Sequence, residues 1–325
     1  MNISKNYSWL ITGVAGFIGS NLLEFLLKND QLVVGLDNFA TGHQKNLDEV
    51  LASLSAKQKN NFLFIEGDIR NLNDVNRCFN HEIDFALHQA ALGSVPRSIK
   101  TPLETNSVNV DGFLNVLKTS VDNKVKKFVY ASSSSVYGDS PHLPKQEDVI
   151  GMPLSPYAVS KRTNELYANA FSRCYDIQTI GLRYFNVFGP RQDPNGPYAA
   201  VIPLWIDSLL KNKPVYINGD GETSRDFCYI ENVVQANIKS ALSTNPEAAN
   251  QVYNVACGER TTLNELFVLL RENLKKTDAT PTYREFREGD VRHSHASITK
   301  IIEKINYSSS VKIQDGLKIY TTEFL

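Results

Sequence analysis

The sequence predicts an α/β protein with a doubly wound parallel sheet, and three observations support this prediction. Short apolar runs of strand type alternate with longer segments of helical periodicity through the first half of the chain. A glycine-rich turn joins the first of these strands to the first helix. Polar or small residues follow the later strands, and open parallel sheets bind their ligands beyond the carboxyl ends of the strands.

Composition limits the function classes before any element is placed. The 325 residues, 42% of them hydrophobic, suffice for one large or two modest domains with a substantial core. A net charge of −1 gives no electrostatic reason to expect nucleic acid or an anionic membrane as a partner. The four cysteines lack the spacing of a zinc site or a disulfide framework, so we expect free thiols and no metal. The sequence shows no signal peptide and no apolar run of the roughly 18–20 residues that cross a bilayer, so we expect a cytoplasmic protein.

The first element is a strand, turn and helix of the kind that binds a dinucleotide. Residues 9–12 form an apolar strand, Gly13, Gly16 and Gly19 form the turn, and residues 20–28 have helical periodicity. The glycines permit a tight turn, close approach of a pyrophosphate and packing of helix on strand, while the helix dipole favours the anion. Glycines at turns are common, so the indication comes from the elements on both sides.

The next strands end in residues suited to the rest of such a ligand. Residues 31–36 form the second strand, and Asp37 stands where a carboxylate binds ribose hydroxyls and repels a 2′-phosphate, which favours NAD over NADP. An ordinary aspartate at a turn is the alternative. Residues 62–69 are expected to form the third strand and residues 83–88 the fourth, with His88 in a structural role at its end.

Four consecutive serines, residues 132–135, follow the fifth strand. This strand covers residues 127–131, and helical periodicity precedes it over residues 105–120. Hydroxyls at the end of a buried strand need hydrogen-bond partners, and packing alone does not explain four of them. At the mouth of a nucleotide crevice, a polar substrate explains them better.

The segment 155–161 predicts a helix with a tyrosine and a lysine on one face. Pro156 suits the first turn of a helix, and Ser155 can cap it. Tyr157 and Lys161 are four residues apart, and an ammonium near a phenol lowers the pKa of the phenol, which would make Tyr157 a general base. An amphipathic helix without chemistry is compatible with this segment taken alone.

The second half of the chain indicates a smaller α/β substrate lobe. Glycine, proline and asparagine become frequent from about residue 181, so we expect a NAD-binding domain over residues 1–185 and the substrate lobe over 186–325. A helix near 230–241 and a strand at 252–255 are expected to return to the first domain, so that about residues 225–255 belong to it. A further helix at 262–275 is expected to be capped by Thr261 or Thr262.

The motifs together resemble the extended short-chain dehydrogenase/reductase family, which implies a Rossmann-type fold. The family's marks are Gly-x-x-Gly-x-x-Gly, Asp37 after the second strand, Asp68, a serine before the Tyr-Gly pair at 137–138, and Tyr-x-x-x-Lys at 157–161. In one departure, Ser297 stands where the family usually has aspartate, and it is expected to cap the helix that follows.

Within that family the chain resembles nucleotide-sugar epimerases. Residues 183–190 and 224–230 match segments of the sugar-binding region. Residues 89–98, 192–203 and 286–294 are similar to bacterial UDP-N-acetylglucosamine 4-epimerases and UDP-N-acetylglucosaminuronate 4-epimerases of surface-polysaccharide pathways. The similarity runs from about residue 9 to about residue 320.

The resemblance implies inversion of carbon 4 of a UDP-sugar through a 4-keto intermediate, with NAD as a tightly bound cofactor. Tyr157 would take the proton of the 4-hydroxyl, while Lys161 would hold the nicotinamide ribose and depress the pKa of the tyrosine. Ser133 matches the family's catalytic serine, and the run of serines leaves this assignment open by one position. Ser294 stands where relatives limited to plain hexoses carry a bulky aromatic, so acetamido sugars are implied as substrates.

Three sets of residues are carried over from the family. The implied catalytic residues are Ser133, Ser134, Tyr157 and Lys161. The implied cofactor contacts are Gly13, Gly16, Phe17, Ile18, Gly19, Asp37, Asn38, Thr41, Gly42, Asp68, Ile69, Gln89, Ala90, Ala91, Tyr157, Lys161, Tyr184 and Val187. The implied substrate contacts are Gly93, Ser94, Arg97, Ser133, Ser134, Ser135, Tyr157, Asn186, Gln192, Ala200, Val201, Tyr216, Asn218, Arg225, Arg292 and Ser294.

Several other functions stay in view. A sugar 4,6-dehydratase would need an acid–base pair, commonly Asp-Glu, where Ser134 and Ser135 stand, and a UDP-glucuronate decarboxylase would need a carboxylate in the same loop. Action on the uronate of UDP-N-acetylglucosamine is the open alternative, as is, from another class, a non-catalytic NAD-binding regulatory protein. The resemblance also implies a homodimer that pairs the helices near residues 104–120 and 157–173.

Overall fold

The computed structural model describes residues 2–195, 199–286 and 291–325. Residues 196–198 and 287–290, parts of two segments that carry the family resemblance, lie outside the described residues. Among the helices that are described, none has both the length and the hydropathy needed to cross a membrane.

The described residues form strands and helices that alternate along the chain. The strands are β1 (Ser8–Thr12), β2 (Leu32–Asp37), β3 (Phe62–Glu66), β4 (Phe85–His88), β5 (Lys127–Ser133), β6 (Gln178–Tyr184), β7 (Val187–Phe188), β8 (Val215–Asn218), β9 (Ser224–Arg225), β10 (Cys228–Tyr229), β11 (Gln251–Val255), β12 (Thr261–Thr262) and β13 (Pro281–Arg284). The helices are α1 (Phe17–Lys28), α2 (Gln44–Ala52), α3 (Ala56–Lys59), α4 (Leu72–Cys78), α5 (Val95–Lys100), α6 (Pro102–Asn106), α7 (Gly112–Asp122), α8 (Pro156–Cys174), α9 (Val201–Leu210), α10 (Ile230–Leu242), α11 (Leu263–Asn273), α12 (Thr299–Ile305) and α13 (Ile313–Thr322). A π-helical segment covers Ser107–Asp111, and 3₁₀ turns cover Ser134–Tyr137 and Pro246–Ala248.

Seven strands form one parallel sheet in the order β11-β6-β5-β4-β1-β2-β3. Strand β1 pairs with β2 on one side and with β4 on the other, so the strand order reverses at β1. In such a sheet the ligand crevice lies at this reversal, beyond the carboxyl ends of the strands. The predicted doubly wound parallel sheet is confirmed. Outside it, β7 pairs with β10, β9 with β12 and β8 with β13.

Both faces of the sheet are covered, which explains the continuous apolar runs of its strands. Successive side chains of β1 point to opposite faces. Trp9 and Ile11 belong to the core cluster that includes Leu22 of α1, whereas Leu10 packs in the second cluster with Phe113 of α7. Strand β1, whose carboxyl end leads into the glycine turn, is therefore held by packing on both faces of the sheet.

Local sequence signals account for the ends of several helices. Oγ of Ser155 accepts a hydrogen bond from the backbone N–H of Ala158, as predicted for the start of α8. Thr262, one of the two predicted caps, forms a reciprocal capping box with Glu265 at the start of α11. Ser297 does not cap α12, because that helix begins after Ile298 without a side-chain cap and the Ser297 hydroxyl lies 3.4 Å from that of Thr299.

Two predicted elements have different bounds in the structure. Strand β3 ends at Glu66, because the chain turns there and the N–H of Asp68 bonds to the carboxylate of Asp74 instead of to a strand. Asp68 and Ile69 consequently lie in the turn. The helix predicted at residues 105–120 begins at Pro102, which suits a first turn, and continues through the π-helical segment to Asp122. Strand β11 pairs with β6 in the main sheet, as expected, while the division into two domains stays a prediction.

Candidate active site

A cleft of about 110 Å³ lies beyond the ends of β1, β2 and β4. Gly13 has a φ of 71°, and a Cβ there would stand 2.8 Å from the backbone nitrogen of Ala90, so only glycine lets the two turns approach this closely. Eleven of the predicted cofactor residues line this cleft: Gly13, Gly16, Asp37, Asn38, Thr41, Gly42, Asp68, Ile69, Gln89, Ala90 and Ala91.

Asp37 closes one side of this dinucleotide cleft. Its Oδ2 accepts a 2.9 Å hydrogen bond from the N–H of Ala15, and its Oδ1 accepts a 2.8 Å bond from the N–H of Phe39. Burial raises the pKa of Asp37 in spite of these backbone donors. The carboxylate thus fixes the glycine turn from the end of β2, which is where an adenosine ribose would lie.

Phe17, Ile18 and Gly19, also predicted at the cofactor, form the first turn of α1. A Cβ on Gly19 would lie 2.0 Å from the carbonyl oxygen of Gly13, so this glycine serves the packing of helix on turn. Gly16 is the N-cap of α1 and supplies no side-chain cap, which leaves backbone N–H groups of the first turn to an anionic ligand.

The tyrosine–lysine pair lies on the face of α8 that packs on β5. Nζ of Lys161 donates a 2.8 Å hydrogen bond to the carbonyl oxygen of Ala131, and burial lowers the pKa of Lys161 to about 8. Burial raises the pKa of Tyr157, and a side-chain interaction with Ser133 opposes this rise. The pKa of Tyr157 is therefore raised in this structure and not lowered as predicted, because desolvation of the phenol dominates. A lowering effect of Lys161 stays a prediction.

The four serines do not all follow β5 as predicted, because the strand continues through Ser132 and Ser133, and their environments differ. The hydroxyl of Ser132 donates to Oε1 of Glu165, whereas Oγ of Ser133 accepts a 3.1 Å bond from the N–H of Ser135 and starts the 3₁₀ turn. Ser134 and Ser135 line a larger cleft, and Oγ of Ser135 is buried without a partner among the described residues.

A buried ion pair that the sequence analysis did not predict lies next to the serines at the end of β5. Arg183 donates to both oxygens of Glu165, at 2.8 and 2.9 Å, and its Nη1 donates to the carbonyl oxygen of Glu147. Burial would raise the pKa of Glu165, but the bonds from Arg183 and Ser132 outweigh it and the pKa is lowered. The glutamate stays charged, and α8 is thereby fixed to β6.

The larger cleft has a volume of about 740 Å³, and its lining includes Ser155 and Ala158, which flank Pro156 and Tyr157 in the sequence. Its lining includes five predicted substrate residues, namely Ser134, Ser135, Asn186, Arg225 and Ser294. It also includes Lys145 and His293, which were not predicted, together with apolar side chains such as Val95 and Leu154. Asn186 has a φ of 31°, a strained conformation for a residue other than glycine and one that is concentrated at functional sites.

A third cleft, of about 330 Å³, shares Asn186 and Arg225 with the larger cleft. The other predicted residues in its lining are Val187, Ala200, Val201, Tyr216 and Asn218. Val187, predicted at the cofactor, thus lies with the predicted substrate residues, because β7 leads away from the main sheet. A ligand that extends from one of these clefts into the other would pass Arg225.

Twelve predicted residues lie outside the linings of the three clefts. Tyr184 bonds through its hydroxyl to Gln89, and Arg292 pairs with Asp220 at 2.7 Å. Ser94 caps α5 and Gln192 donates to the carbonyl oxygen of Val187. Val95 and Pro96 of α5 line the larger cleft in place of the predicted Gly93, Ser94 and Arg97. The full set outside the linings is Phe17, Ile18, Gly19, Gly93, Ser94, Arg97, Ser133, Tyr157, Lys161, Tyr184, Gln192 and Arg292.

Asp226 is a further residue that the sequence analysis missed. Its buried carboxylate accepts backbone hydrogen bonds from Cys257, Gly258 and Ala296, at 2.8, 3.1 and 3.2 Å. Burial nevertheless raises its pKa to about 6. Its only sequence signal is an acid placed between Arg225 and an apolar run. The carboxylate connects three segments around the substrate residues.

The comparisons with known proteins give this arrangement a family. The profile of the NAD dependent epimerase/dehydratase family matches residues 9–256. The chain belongs to this family. The resemblance drawn from the sequence is thereby confirmed, and NAD is its cofactor.

Relatives of this family member act on different UDP-sugars. UDP-glucose 4-epimerase of Mycolicibacterium smegmatis is 34% identical over 316 residues, which cover 97% of each chain. The structure of UDP-N-acetylglucosamine 4-epimerase from Methanobrevibacter ruminantium, in complex with UDP-N-acetylmuramic acid, is 37% identical with a TM-score of 0.89 over 98% of each chain. UDP-glucuronic acid 4-epimerase from Bacillus cereus, in complex with UDP-glucuronic acid and NAD, is 31% identical with a TM-score of 0.86 and covers 98% of this chain and 100% of that one.

Proposed function

We propose that this epimerase/dehydratase family member is a UDP-sugar 4-epimerase whose substrates are UDP-N-acetylglucosamine and UDP-N-acetylgalactosamine. The observation that carries the choice of sugar is the position of Ser294 in the lining of the 740 Å³ cleft. A serine there leaves room for an acetamido group, which a bulky aromatic side chain would fill. The activity of the relatives supports the broader assignment to UDP-sugar 4-epimerases.

The charges of the larger cleft favour an acetamido sugar over a uronate. Among its described lining residues, Lys145 and Arg225 are the lysine and arginine side chains, and there is no aspartate or glutamate. The ammonium of Lys145 already donates to the carbonyl oxygen of Ser140, and Arg225 lies where the two substrate clefts meet. We assign Arg225 to the diphosphate, so a C6 carboxylate would require a further cation. The uronate remains the alternative because the Bacillus cereus relative takes a uronic acid.

The cofactor cleft fits NAD. Gly13 and Gly16 admit the pyrophosphate to the uncapped start of α1, and Asp37 would accept hydrogen bonds from the adenosine ribose. When bound, NAD supplies the reversible removal and return of hydride at carbon 4 of the sugar. Binding, orientation and proton transfer come from this chain's own residues.

Proton transfer at the 4-hydroxyl falls to Tyr157. Burial favours its neutral form, so the phenol needs a partner to act as a base, and Ser133 is that partner in the structure. Lys161, held on the carbonyl oxygen of Ala131, places an ammonium on the same helical face. Tyr157 would take the proton of the 4-hydroxyl as the 4-keto sugar forms and would return it to the same oxygen. Carbon 4 is inverted if the sugar turns between the two steps, so that hydride returns to the opposite face of that carbon.

We further propose that the active form is a homodimer in the cytoplasm that supplies precursors of surface polysaccharides. Exposed apolar side chains lie on α5, on the first turn of α6 and along α8, namely Ile99, Leu103, Val159 and Leu166. Such a patch favours association through these helices. All four cysteines are free thiols, which fits a reducing compartment.

Turnover assays on purified protein test the proposal. UDP-N-acetylglucosamine, its uronate and UDP-glucose are incubated separately, and the appearance of each 4-epimer is followed by NMR, with NAD content measured by absorbance. We expect the acetamido hexose to react fastest and Y157F to be inactive while retaining NAD. Faster inversion of the uronate would replace the proposed sugar by the alternative. Absence of turnover on every UDP-sugar would favour a non-catalytic protein.

A further inference from the structure

Arg191 connects the substrate side of the molecule to the dinucleotide-binding helix. Its Nε donates a 3.0 Å hydrogen bond to Oγ of Ser20, and its Nη2 donates to Oδ1 of Asn21 at 2.8 Å and to Oε2 of Glu24 at 2.7 Å. The three acceptors are all in α1. The Arg191 side chain is only 10% exposed, so water competes little for its hydrogen-bonding groups.

Helix α1 also donates a hydrogen bond back to the segment that contains Arg191. Asn21 donates from Nδ2 to the carbonyl oxygen of Pro190, at 3.1 Å, so the same side chain bonds to the backbone and to the guanidinium of one segment. Arg191 itself has a φ of 66°, the left-handed conformation that a residue with a side chain adopts at a cost of order 1 kcal/mol or more. The bonds to α1 hold the chain in this conformation.

A second contact joins the same segment to the other wall of the cofactor cleft. Nε2 of His43 lies 3.2 Å from a carboxylate oxygen of Asp193. The N–H of His43 in turn donates to the carbonyl oxygen of Ala15 in the glycine turn. Residues 190–193 are thus bonded to both sides of the turn that receives the pyrophosphate.

The two ends of this connection belong to different binding sites. Helix α1 begins directly after Gly16, which lines the cofactor cleft, whereas Asn186 and Val187, just before residues 190–193, line the cleft of about 330 Å³. Gln192 holds the two parts of the segment together through its bond to the carbonyl oxygen of Val187. The position of the substrate residues relative to the cofactor therefore depends on how this segment is anchored.

The local charges show that Arg191 interacts with Glu24 as an ion. Burial would raise the pKa of Glu24, but Lys28 and Arg191 outweigh burial and the pKa is lowered. The Lys28 side chain is 51% exposed, and its Nζ forms an ion pair with the same carboxylate at 2.6 Å. This ion pair does not involve residues 190–193. Lys28 therefore offers a matched control in which a cation is removed from Glu24 while the anchor stays.

We propose that Arg191 is a positioning residue. It holds residues 186–193, which include residues at the proposed UDP-sugar site, against helix α1 and so sets the distance between sugar and cofactor. The inference rests on the proposed function for its ligand, a uridine diphosphate sugar. A planar guanidinium with three acceptors fixes orientation, which a lysine ammonium in its place would do less well. Small displacements of a bound substrate cost rate steeply.

The test compares R191M, R191K and K28M as NAD-loaded proteins. Calorimetry measures the Kd of UDP, and epimerase assays give kcat and KM separately. For R191M we expect a Kd for UDP raised about 10-fold and a kcat lowered by at least about 10-fold, since both pocket shape and reacting distance change. R191K is expected to be intermediate, and K28M is expected to match the wild type within about twofold.

The outcomes separate this inference from the proposed function. A wild-type protein that binds no UDP and turns over no UDP-sugar would refute both. A wild type that binds and reacts, with R191M equal to it in Kd, kcat and KM, would overturn the inference alone, and so would an R191M that only melts at a lower temperature. If R191M does not fold, N21S removes the bonds of the Asn21 side chain to Pro190 and Arg191 and is measured in the same way, with the same expected direction and the same contrary result.

Discussion

The hydroxyl of Ser132 donates a 2.7 Å hydrogen bond to Oε1 of Glu165, so this serine belongs to the buried network of Glu165 and Arg183. Ser133 is the last residue of β5, and its side chain interacts with the phenol of Tyr157, which lies eight residues before Glu165 on the same helix. The structure thereby distinguishes two serines that the sequence left equivalent. Ser133 is the one placed to share a proton with Tyr157.

S133A is therefore expected to lower kcat by about 100-fold, because the tyrosine loses the group that opposes its raised pKa. The matched variant S132A removes a hydrogen bond from Glu165 and is expected to lower the free energy of unfolding by about 1–3 kcal/mol with kcat nearly unchanged. Steady-state kinetics and urea denaturation on both variants check this assignment. A larger loss of kcat in S132A than in S133A would reverse it.

Ser294 provides a test of sugar choice. In S294Y the aromatic ring would occupy the space in the larger cleft that we assign to the acetamido group. We expect kcat/KM for UDP-N-acetylglucosamine to fall by at least about 10-fold, while turnover of UDP-glucose persists. Parallel assays of the two sugars on one preparation give the ratio directly. If both activities fall equally, the ring has distorted the cleft and the residue does not select the sugar.

The sequence predicted what is encoded locally. Gly13, Gly16, Gly19 and Asp37 lie within one strand–helix–strand unit, and the caps Ser155 and Thr262 lie within three residues of the N–H groups that they accept from. These features depend on backbone conformation and spacing along the chain. Their placement needed no knowledge of distant packing.

What escaped prediction depends on contacts between distant segments. Asp226 gathers backbone donors 31 to 70 residues away, and Arg183 meets Glu165 across 18 residues of helix and strand. Arg191 contacts α1 from about 170 residues away. The pKa of Tyr157 was predicted with the wrong sign, because helical spacing indicates the nearby lysine but does not show how deeply the phenol is buried.

The glycine turn makes a sharp prediction about cofactor retention. A Cβ on Gly19 would lie 2.0 Å from the carbonyl oxygen of Gly13, whereas a Cβ on Gly16 would lie 3.2 Å from the same atom. G19A must therefore displace the turn, while G16A needs a shift of only a few tenths of an ångström. We expect G19A to be purified with little NAD and G16A to retain more, as measured by absorbance after acid release. Equal NAD content in both variants would contradict this order.

The exposed leucine of α8 tests the proposed dimer. Leu166 is 55% exposed, and a lysine there would place a charge in the apolar patch that we assign to the interface. We expect L166K to sediment as a monomer at concentrations where the wild type is a dimer. L325K, a change at another exposed leucine near the end of the chain, is the matched control and should leave the sedimentation unchanged. A monomeric wild type would refute the dimer outright.

Asp226 predicts an unusual dependence of stability on pH. Its pKa is about 6 in the folded protein, because of burial, and its ordinary value is 3.8. Between these values the folded state binds more protons than the unfolded state, so the contribution of Asp226 to stability is greatest at low pH and is lost as the pH rises through 6. The difference between the two pKa values corresponds to about 3 kcal/mol.

D226N carries no charge at any pH, so the free energy of unfolding of wild type minus that of D226N should fall by about 2–3 kcal/mol from pH 4 to pH 7. Denaturant titrations at several pH values measure this difference, in which the other titrating groups cancel. A difference that stays constant over this range would mean that the carboxyl group of Asp226 is already ionised at pH 4, and that its three backbone donors outweigh its burial.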